Sequence, residues 1–432
     1  MLAEKLAAVL QRRGIHYGWV MVAVTFVVAI TTSGAVGVPG ALILPLSSEF
    51  GWNTAQISSA LALRLVLFGL MAPFSAALIE RYGVRRVVTL AIGLILLGLC
   101  GALLMRQVWH LVLAWGVIVG IGTGMTALVL SAIVASRWFS TRRGLVLGLL
   151  TASTSTGQLI FLPLAASLAE KAGWRIALIP SCAALVVAAV LVLLFMRDRP
   201  SDVGLAPYGE APGAAFANIA AIPPGAAVGR AFAVLGEASA NPVFWMLAFT
   251  FFICGLSTNG LIQTHFIPLC ADYGLPATTG ATVLAAMGVF DIAGTIGSGW
   301  LSDRVDPRKL LFMYYGLRGI ALLYLPSSSF DVYGLSVFGV IYGLDWIATV
   351  PPTVRIAGAT FGRERAGVVF GWIFSAHQVG AAVAAFGAGF TRTSFGTYLP
   401  ALYIAGAACL IAALLALTVG KAARRTPSPA TT

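Results

Sequence analysis

The sequence predicts an all-α membrane protein whose twelve transmembrane helices form two six-helix bundles. Three observations carry that prediction. Hydrophobic residues fill 59% of the 432 positions and the mean hydropathy is +0.93, where soluble domains have an apolar share of about 45–50%. Apolar stretches long enough to cross a hydrocarbon core, about 20 helical residues each, recur along the whole chain. A charged cluster in the first half of the chain returns in the second. Continuous runs such as "LVLAWGVIVGIG" exclude a β-barrel, which needs short segments of alternating polarity.

The apolar runs, numbered helix 1 to helix 12, cover roughly 17–46, 54–78, 87–106, 109–136, 144–168, 174–196, 241–270, 279–301, 310–326, 331–361, 366–390 and 397–420. Lys5, Arg12 and Arg13 precede the first run as they would precede a secretory signal. Its apolar stretch far exceeds a signal core, so it reads as a retained helix. Between helices 6 and 7 the segment 197–241 has Pro and Gly punctuation, several charges and no long apolar run. It reads as a linker with a short amphipathic helix near 228–235. The expected organisation is an N-terminal bundle over 1–196, a cytoplasmic linker over 197–240, a C-terminal bundle over 241–420 and a tail over 421–432.

Orientation follows from Lys and Arg, which short loops keep on the cytoplasmic side. With the N-terminus inside, 21 of the 27 basic residues fall on cytoplasmic segments. Arg106, Lys171, Arg175 and Arg392 fall on the opposite side, and Arg64 and Arg318 fall inside helices. Both termini are therefore expected in the cytoplasm. Topology and attraction to anionic lipid account for the net charge of +12, so membrane lipid is an expected partner and nucleic acid is not. The 5 cysteines show neither CxxC nor metal-ligand spacing; no metal or cofactor is expected.

The repeated cluster is "ERYGVRR" at Glu80–Arg86 and "SDRVDPRK" at Ser302–Lys309. In each, an acid is followed by an Arg and a second Arg comes four residues later: Glu80, Arg81, Arg85, then Asp303, Arg304, Arg308. The copies follow helices 2 and 8, which makes helix 8 the helix 2 of the second half. "WFSTRRGLVLG" before helix 5 pairs likewise with "TFGRERAGVVFG" before helix 11. Parallel repeats are a construction of transporters whose bundles rock about a midplane site. Residues at i and i+4 share a helix face, from which the arginines reach carboxylates or helix C-termini of neighbouring helices. The six residues are expected to latch the cytoplasmic side shut in the outward-facing state.

These loops resemble the signature of the major facilitator superfamily, usually written G-x-x-x-D-R-x-G-R-R. The second copy has Gly299 and Asp303 in place, whereas the first has Ala76 and Glu80. The resemblance covers the whole chain and implies the major facilitator fold. At a finer level, "HYGWVMV" (Tyr17, Gly18, Trp19) and "WFSTRRGLVLGLLTASTSTG" (Phe139, Arg142, Arg143, Gly144, Gly148, Gly157) resemble two signatures of the monocarboxylate transporters and their bacterial oxalate:formate exchanger relatives. That resemblance implies a small organic acid as cargo, carried with a proton or by exchange; a monomer in a bacterial inner membrane, with a proton as coupling ion, is expected. Helix 8 of that branch commonly presents an Arg to the carboxylate. Here Asp291 and, four residues on, Thr295 stand in that region.

Ionisable groups deep in a membrane cost about 2.5–3.5 kcal/mol each on insertion scales and are functional candidates by default. Those near mid-depth are Arg64 in helix 2, Asp291 in helix 8, Arg318 in helix 9 and Asp345 in helix 10. Polar company comes from Asn259, Gln263 and His265 in helix 7, His377 and Gln378 in helix 11, and Thr151 to Thr156 with Gln158 in helix 5. Structural explanations compete with functional ones. Arg318 can neutralise Asp291 or Asp345; Asp345 can pack a helix broken at "VPPT"; His377 can be a hydrogen-bonded core residue. Small residues in helix 5, and Gly116, Gly120 and Gly124 in helix 4, also let helices approach closely. Arg64 has no acid within the first six runs and is expected to face the central cavity.

The expected function is secondary active transport of a small organic anion by alternating access. Arg64, Arg318, Tyr17, Thr154, Gln158, Asn259 and His377 are expected at the substrate and Asp291 and Asp345 at the proton. A proton-driven exporter of drugs or metabolites with the same fold is the rival reading. Such pumps often carry an acid in helix 1 or 4 and a G-P motif in helix 5, where this chain has Pro163 without the motif. An enzyme would need a cluster such as HExxH, or a nucleophile beside a base. His16, His110, His265 and His377 are scattered instead, so no enzyme is expected.

Overall fold

A backbone in hydrocarbon must satisfy its own polar groups, and uninterrupted apolar sequence can do so only as helix. The computed structural model describes residues 2–126, 128–210, 226–302 and 304–419, and among them 12 helices are long and apolar enough to cross a membrane. Helices 1 to 6 are Gly18–Phe50, Thr54–Tyr82, Val84–Ala102, Val108–Trp138, Arg143–Ala172 and Trp174–Phe195. Helices 7 to 12 are Pro242–Asp272, Ala277–Ser302, Pro307–Ser327, Val332–Phe361, Arg363–Phe395 and Leu399–Ala416. Helix 1 runs about a turn beyond its apolar stretch until Gly51, at φ 69°, turns the chain left-handed. Asn53 and Gln56 then close a reciprocal cap on helix 2.

Two shorter α-helices stand outside the spans among the described residues. Leu2–Arg12 buries Ala3 and Ala7 and exposes Leu2 and Val9. The linker helix Ala226–Ser239 is longer than the stretch expected near 228–235. At the basic-loop end it bridges the two halves. The Phe232 ring lies 5.9 Å from Phe74 of helix 2 and 5.6 Å from Trp372 of helix 11, and the Trp372 indole donates to the Ala231 carbonyl at 3.0 Å.

The packed interior divides in two. One cluster of buried apolar side chains runs from Ala3 to Met196. The other is drawn mainly from Val234 to Val419, with Ala41, Leu162 and Ala166 contributed by the first half. Outward faces carry apolar residues such as Leu97, Ile296 and Ile404, as lipid contact requires.

The seam between the bundles is tight at the end away from the basic loops. The Ala55 N–H of helix 2 donates to Thr393 Oγ1 of helix 11 at 3.1 Å, and Leu65 packs with Ala381, Ala382 and Ala385. Gly40 of helix 1 sits against the Gln263 and Thr264 carbonyls of helix 7. Glu170, at the end of helix 5, accepts from the Thr278 N–H of helix 8 at 3.0 Å. Nearer mid-depth, Ser375 Oγ donates to the Gly69 carbonyl at 3.1 Å.

Within the first bundle, Gly116, Gly120 and Gly124 line the face of helix 4 that meets helix 2. A Cβ at Gly120 would lie 3.1 Å from Arg64 Cα, with backbone on one side and Leu67 on the other. Gly120→Val should therefore destabilise the protein by about 1–3 kcal/mol through overpacking. Gly148→Ala, where nothing lies within 4 Å, should be tolerated. Thermal midpoints of the two variants in detergent check the contrast.

Candidate functional site

Helix 10 breaks between Asp345 and Val350, and the break gathers three of the four mid-depth charges. Pro351 and Pro352 lack the N–H groups that would bond Ile347 and Ala348 four residues back. Ser298 of helix 8 donates to the freed Ala348 carbonyl at 2.5 Å. Asp291, seven residues earlier on the same helix, accepts from the Ile347 N–H at 2.9 Å and from Thr295 Oγ1 at 3.0 Å. On the other side of the break, Arg318 Nη2 donates to the Asp345 and Trp346 carbonyls at 2.6 and 3.2 Å. Its Nε bonds Asp345 Oδ2 at 2.6 Å and its Nη1 donates to Cys254 Sγ of helix 7 at 2.8 Å.

Arg318 is fully buried, at 0% exposure, and Asp345 is at 2%. A buried pair of this kind is justified by the hydrogen bonds that surround it, and here those bonds hold a broken helix. All three nitrogens of the Arg318 guanidinium have protein partners, which favours its reading as the neutraliser of Asp345 over the expected contact with cargo. Asp345 Oδ1, by contrast, is buried with no hydrogen-bond partner among the described residues.

Arg64 stands differently. Its Nη1 donates to the Val36 and Ala35 carbonyls of helix 1 at 2.7 and 3.4 Å. Pro39 explains the second bond, because it cannot donate to Ala35 and so leaves that carbonyl free. The side chain is buried, and no carboxylate pairs with it among the described residues. One residue past Val36, Gly37 faces Gln158, such that a Cβ there would lie 3.6 Å from Gln158 Cγ. Ser33 Oγ donates to the Thr154 carbonyl at 2.6 Å. Arg64 of helix 2 and Thr154 and Gln158 of helix 5 thus all meet the stretch 33–37 of helix 1.

In the second bundle, Asn259 is half-buried in a π-helical stretch of helix 7, Leu256–Ile262. The wider turn lets Gly255 and Gly260 sit against the His377 and Ala381 carbonyls of helix 11. His377 is buried between the Phe251 and Phe374 rings, at 4.9 and 5.6 Å, and its Nδ1 has no partner among the described residues. Gln378 is fully buried with both amide atoms unpartnered there, against Gly69 of helix 2. His265 donates to the Ala385 carbonyl at 2.7 Å.

Tyr17 stands apart from Arg64, about five helical turns before the helix 1 carbonyls that Arg64 meets. Fully buried at the basic-loop end, it donates to the Phe195 carbonyl at 2.7 Å and packs 5.9 Å from Trp138. Trp19 and Phe139 of the two sequence signatures gather there. Trp19 lies 5.2 Å from Phe139, Phe139 lies 5.6 Å from Tyr208 of the linker, and the Tyr208 N–H donates to the Trp138 carbonyl at 2.8 Å. These residues fasten the linker to helices 1 and 4.

The loop arginines also find partners within their own bundle. Arg85 Nη2 donates to the Leu193 carbonyl near the end of helix 6 at 2.6 Å, and its N–H to Asp198 at 3.0 Å. Arg81 lies over the Tyr82 ring. Arg304 lies 4.1 Å over the Trp300 ring, and Arg308 pairs with Asp306 at 3.3 Å. Asp303 and the Glu80 side chain lie outside the described residues.

The sequence profile described as Major Facilitator Superfamily matches residues 21–385. The chain belongs to the Major Facilitator Superfamily. It is a membrane transporter and not an enzyme. Its relatives include the uncharacterized MFS-type transporter YcxA of Bacillus subtilis, 26% identical over 86% of this chain and 87% of that one. Monocarboxylate transporter 13 of Rattus norvegicus is 25% identical over 93% and 89% of the two chains. Monocarboxylate transporter 11 of Mus musculus is 28% identical over 77% and 75%. Among solved structures, a bacterial homologue of the human lysosomal transporter Spinster, inward-facing and unoccupied, superposes with a TM-score of 0.72. That match covers 96% of this chain and 99% of the other at 16% identity, which shows the shared fold alone.

Sequence reasoning missed Ser298 and Cys254. Ser298 had a readable signal, two helical turns from Asp291 on one face of helix 8; Cys254 had none. Removing Arg318 should strand Asp345 in the interior at a cost of about 3–5 kcal/mol. Arg318→Gln is therefore expected to lower the monodisperse yield sharply, and adding Asp345→Asn to the same chain should recover much of it, as size-exclusion profiles would show.

Proposed function

We propose that this superfamily member carries a small organic anion, monocarboxylate-like, by alternating access with a proton as the coupling ion, and that Arg64 binds the cargo carboxylate. The observation that carries this reading is the contrast between the two buried arginines. Arg318 is enclosed by an acid, two carbonyls and a thiol, while Arg64 bonds two carbonyls through one nitrogen and has no acid partner among the described residues. A buried guanidinium without a carboxylate favours an anion that supplies one, and the planar fork accepts a carboxylate bidentately. Thr154, Gln158 and Asn259 offer polar groups for the rest of a small cargo, and His377 and Gln378 border it from helix 11. The monocarboxylate transporters among the relatives agree with this class of cargo.

Charge balance supports the proton. A cargo anion adds negative charge to a low-dielectric interior that already holds Asp291 and Asp345, and a proton taken up there offsets it. Asp345 Oδ1, buried and without a partner among the described residues, is the atom best placed to accept it, with Asp291 as the second carboxyl. The basic loops face the cytoplasm of a bacterial cell, both termini with them, and the protein works as a monomer in the inner membrane. The bundles, residues 1–196 and 241–420, rock about the linker 197–240. The seam contacts opposite the basic loops then describe the inward-open form. Arg81, Arg85, Arg304 and Arg308, with Glu80 and Asp303, form the latch of the outward-open form.

Arg64→Gln should cut carboxylate uptake by about 100-fold, the loss of a charge-assisted buried contact, while the protein still reaches the membrane; full uptake in this variant would remove Arg64 from the site. In proteoliposomes, adding carboxylate outside should acidify the lumen as cargo enters. Uptake with a constant internal pH would end the coupling proposal. Expression that raises tolerance to toxic compounds without permitting growth on an organic acid would favour the exporter instead.

A further inference from the structure

The two copies of the charged loop are alike in sequence and unlike in structure. In the second, Arg304 folds onto Trp300 and Arg308 onto Asp306. In the first, the arginines surround a cleft of about 780 Å³ at the basic-loop ends of helices 2, 3, 4 and 6. Its described lining includes Arg81, Arg85, Arg86, Arg137 and Arg199 against one carboxylate, Asp198. That carboxylate is already engaged by the Arg85 N–H. The described lining of the cleft thus carries five arginines and one carboxylate.

Its other wall is apolar and open to lipid. Leu90, 57% exposed, and Leu193, 45% exposed, border it. From Leu90 the exposed row continues one heptad along helix 3 to Leu97, and from Leu193 it continues back along helix 6 to Val190 and Val186. Helices 3 and 6 pack side by side, so the charged cleft opens onto an apolar groove running into the membrane. A soluble anion would use only the first of these features. A phospholipid uses both, since its phosphate meets guanidinium forks while its tails lie along the leucine and valine rows.

We propose that this cleft is a binding site for the phosphate-bearing headgroup of an anionic phospholipid, with its acyl chains in the groove between helices 3 and 6. Occupancy would hold Arg81 and Arg85 in the first bundle, tying the latch to the composition of the surrounding leaflet. The site is independent of the cargo assignment.

The test is lipid binding to the purified full chain in neutral detergent, read by native mass spectrometry and thermal shift with phosphatidylglycerol, phosphatidylcholine or inorganic phosphate alone. Phosphatidylglycerol should bind more tightly than phosphatidylcholine. Arg86→Gln with Arg199→Gln, both exposed, should weaken it roughly 30-fold, about a factor of five for each basic residue near an anionic headgroup. The corresponding lysine pair should keep most of it. Removing two charges elsewhere on that face, Lys309→Gln with Arg365→Gln, should leave binding unchanged. Equal binding of both lipids, or equal losses in the two glutamine pairs, would overturn the proposal. So would a full thermal shift with inorganic phosphate alone, which would make the cleft a soluble-anion site.

Discussion

A charge inside hydrocarbon has to be answered by the protein, and in this transporter much of the interior is arranged around one such answer. Arg318 reaches from helix 9 into the break of helix 10 and holds the Asp345 carboxylate together with the carbonyls that end the first half of that helix. Asp291 and Ser298 hold the other half from helix 8, and Cys254 closes the arrangement from helix 7. These bonds join helices 7, 8, 9 and 10 across a shared apolar core, and interhelical hydrogen bonds and close packing are what hold helices together in lipid. The prolines that break the helix create the unsatisfied groups that the charges then satisfy.

The same logic in the first bundle gives a different outcome. Pro39 frees a carbonyl of helix 1 and Arg64 answers it with one nitrogen, and no acid pairs with it among the described residues. The glycine face of helix 4 lets the Arg64 backbone approach closely, so the side chain is positioned by packing and not by a counter-charge. The bundles differ in this: Arg318 is paired with an acid in one, while Arg64 in the other has no acid partner among the described residues, an arrangement that suits the proposed anion carrier.

Much of the fold was legible in the sequence because lipid permits so few solutions. Composition, span length and the repeated loop lead to twelve helices in two related halves without any knowledge of side-chain contacts. The site was legible only as a short roster of charged residues. Sequence could place Arg64, Asp291, Arg318 and Asp345 at depth but not decide which would meet, since partnering depends on the rotation of each helix. Tyr17 shows a related limit. A signature marks residues that a family keeps, and here they fasten the linker at the basic end, where the Tyr17 hydroxyl meets the Phe195 carbonyl. The π-helical stretches of helices 4 and 7 left no readable trace, because they depend on glycine contacts with neighbouring helices.

The most direct measurement is an experimental structure with a small carboxylate bound. The account predicts the carboxylate oxygens about 2.7–2.9 Å from the Arg64 guanidinium, near Gln158, with the Arg318–Asp345 pair unbroken. A carboxylate seated on Arg318, with Asp345 displaced from it and Arg64 still turned only toward helix 1, would contradict it.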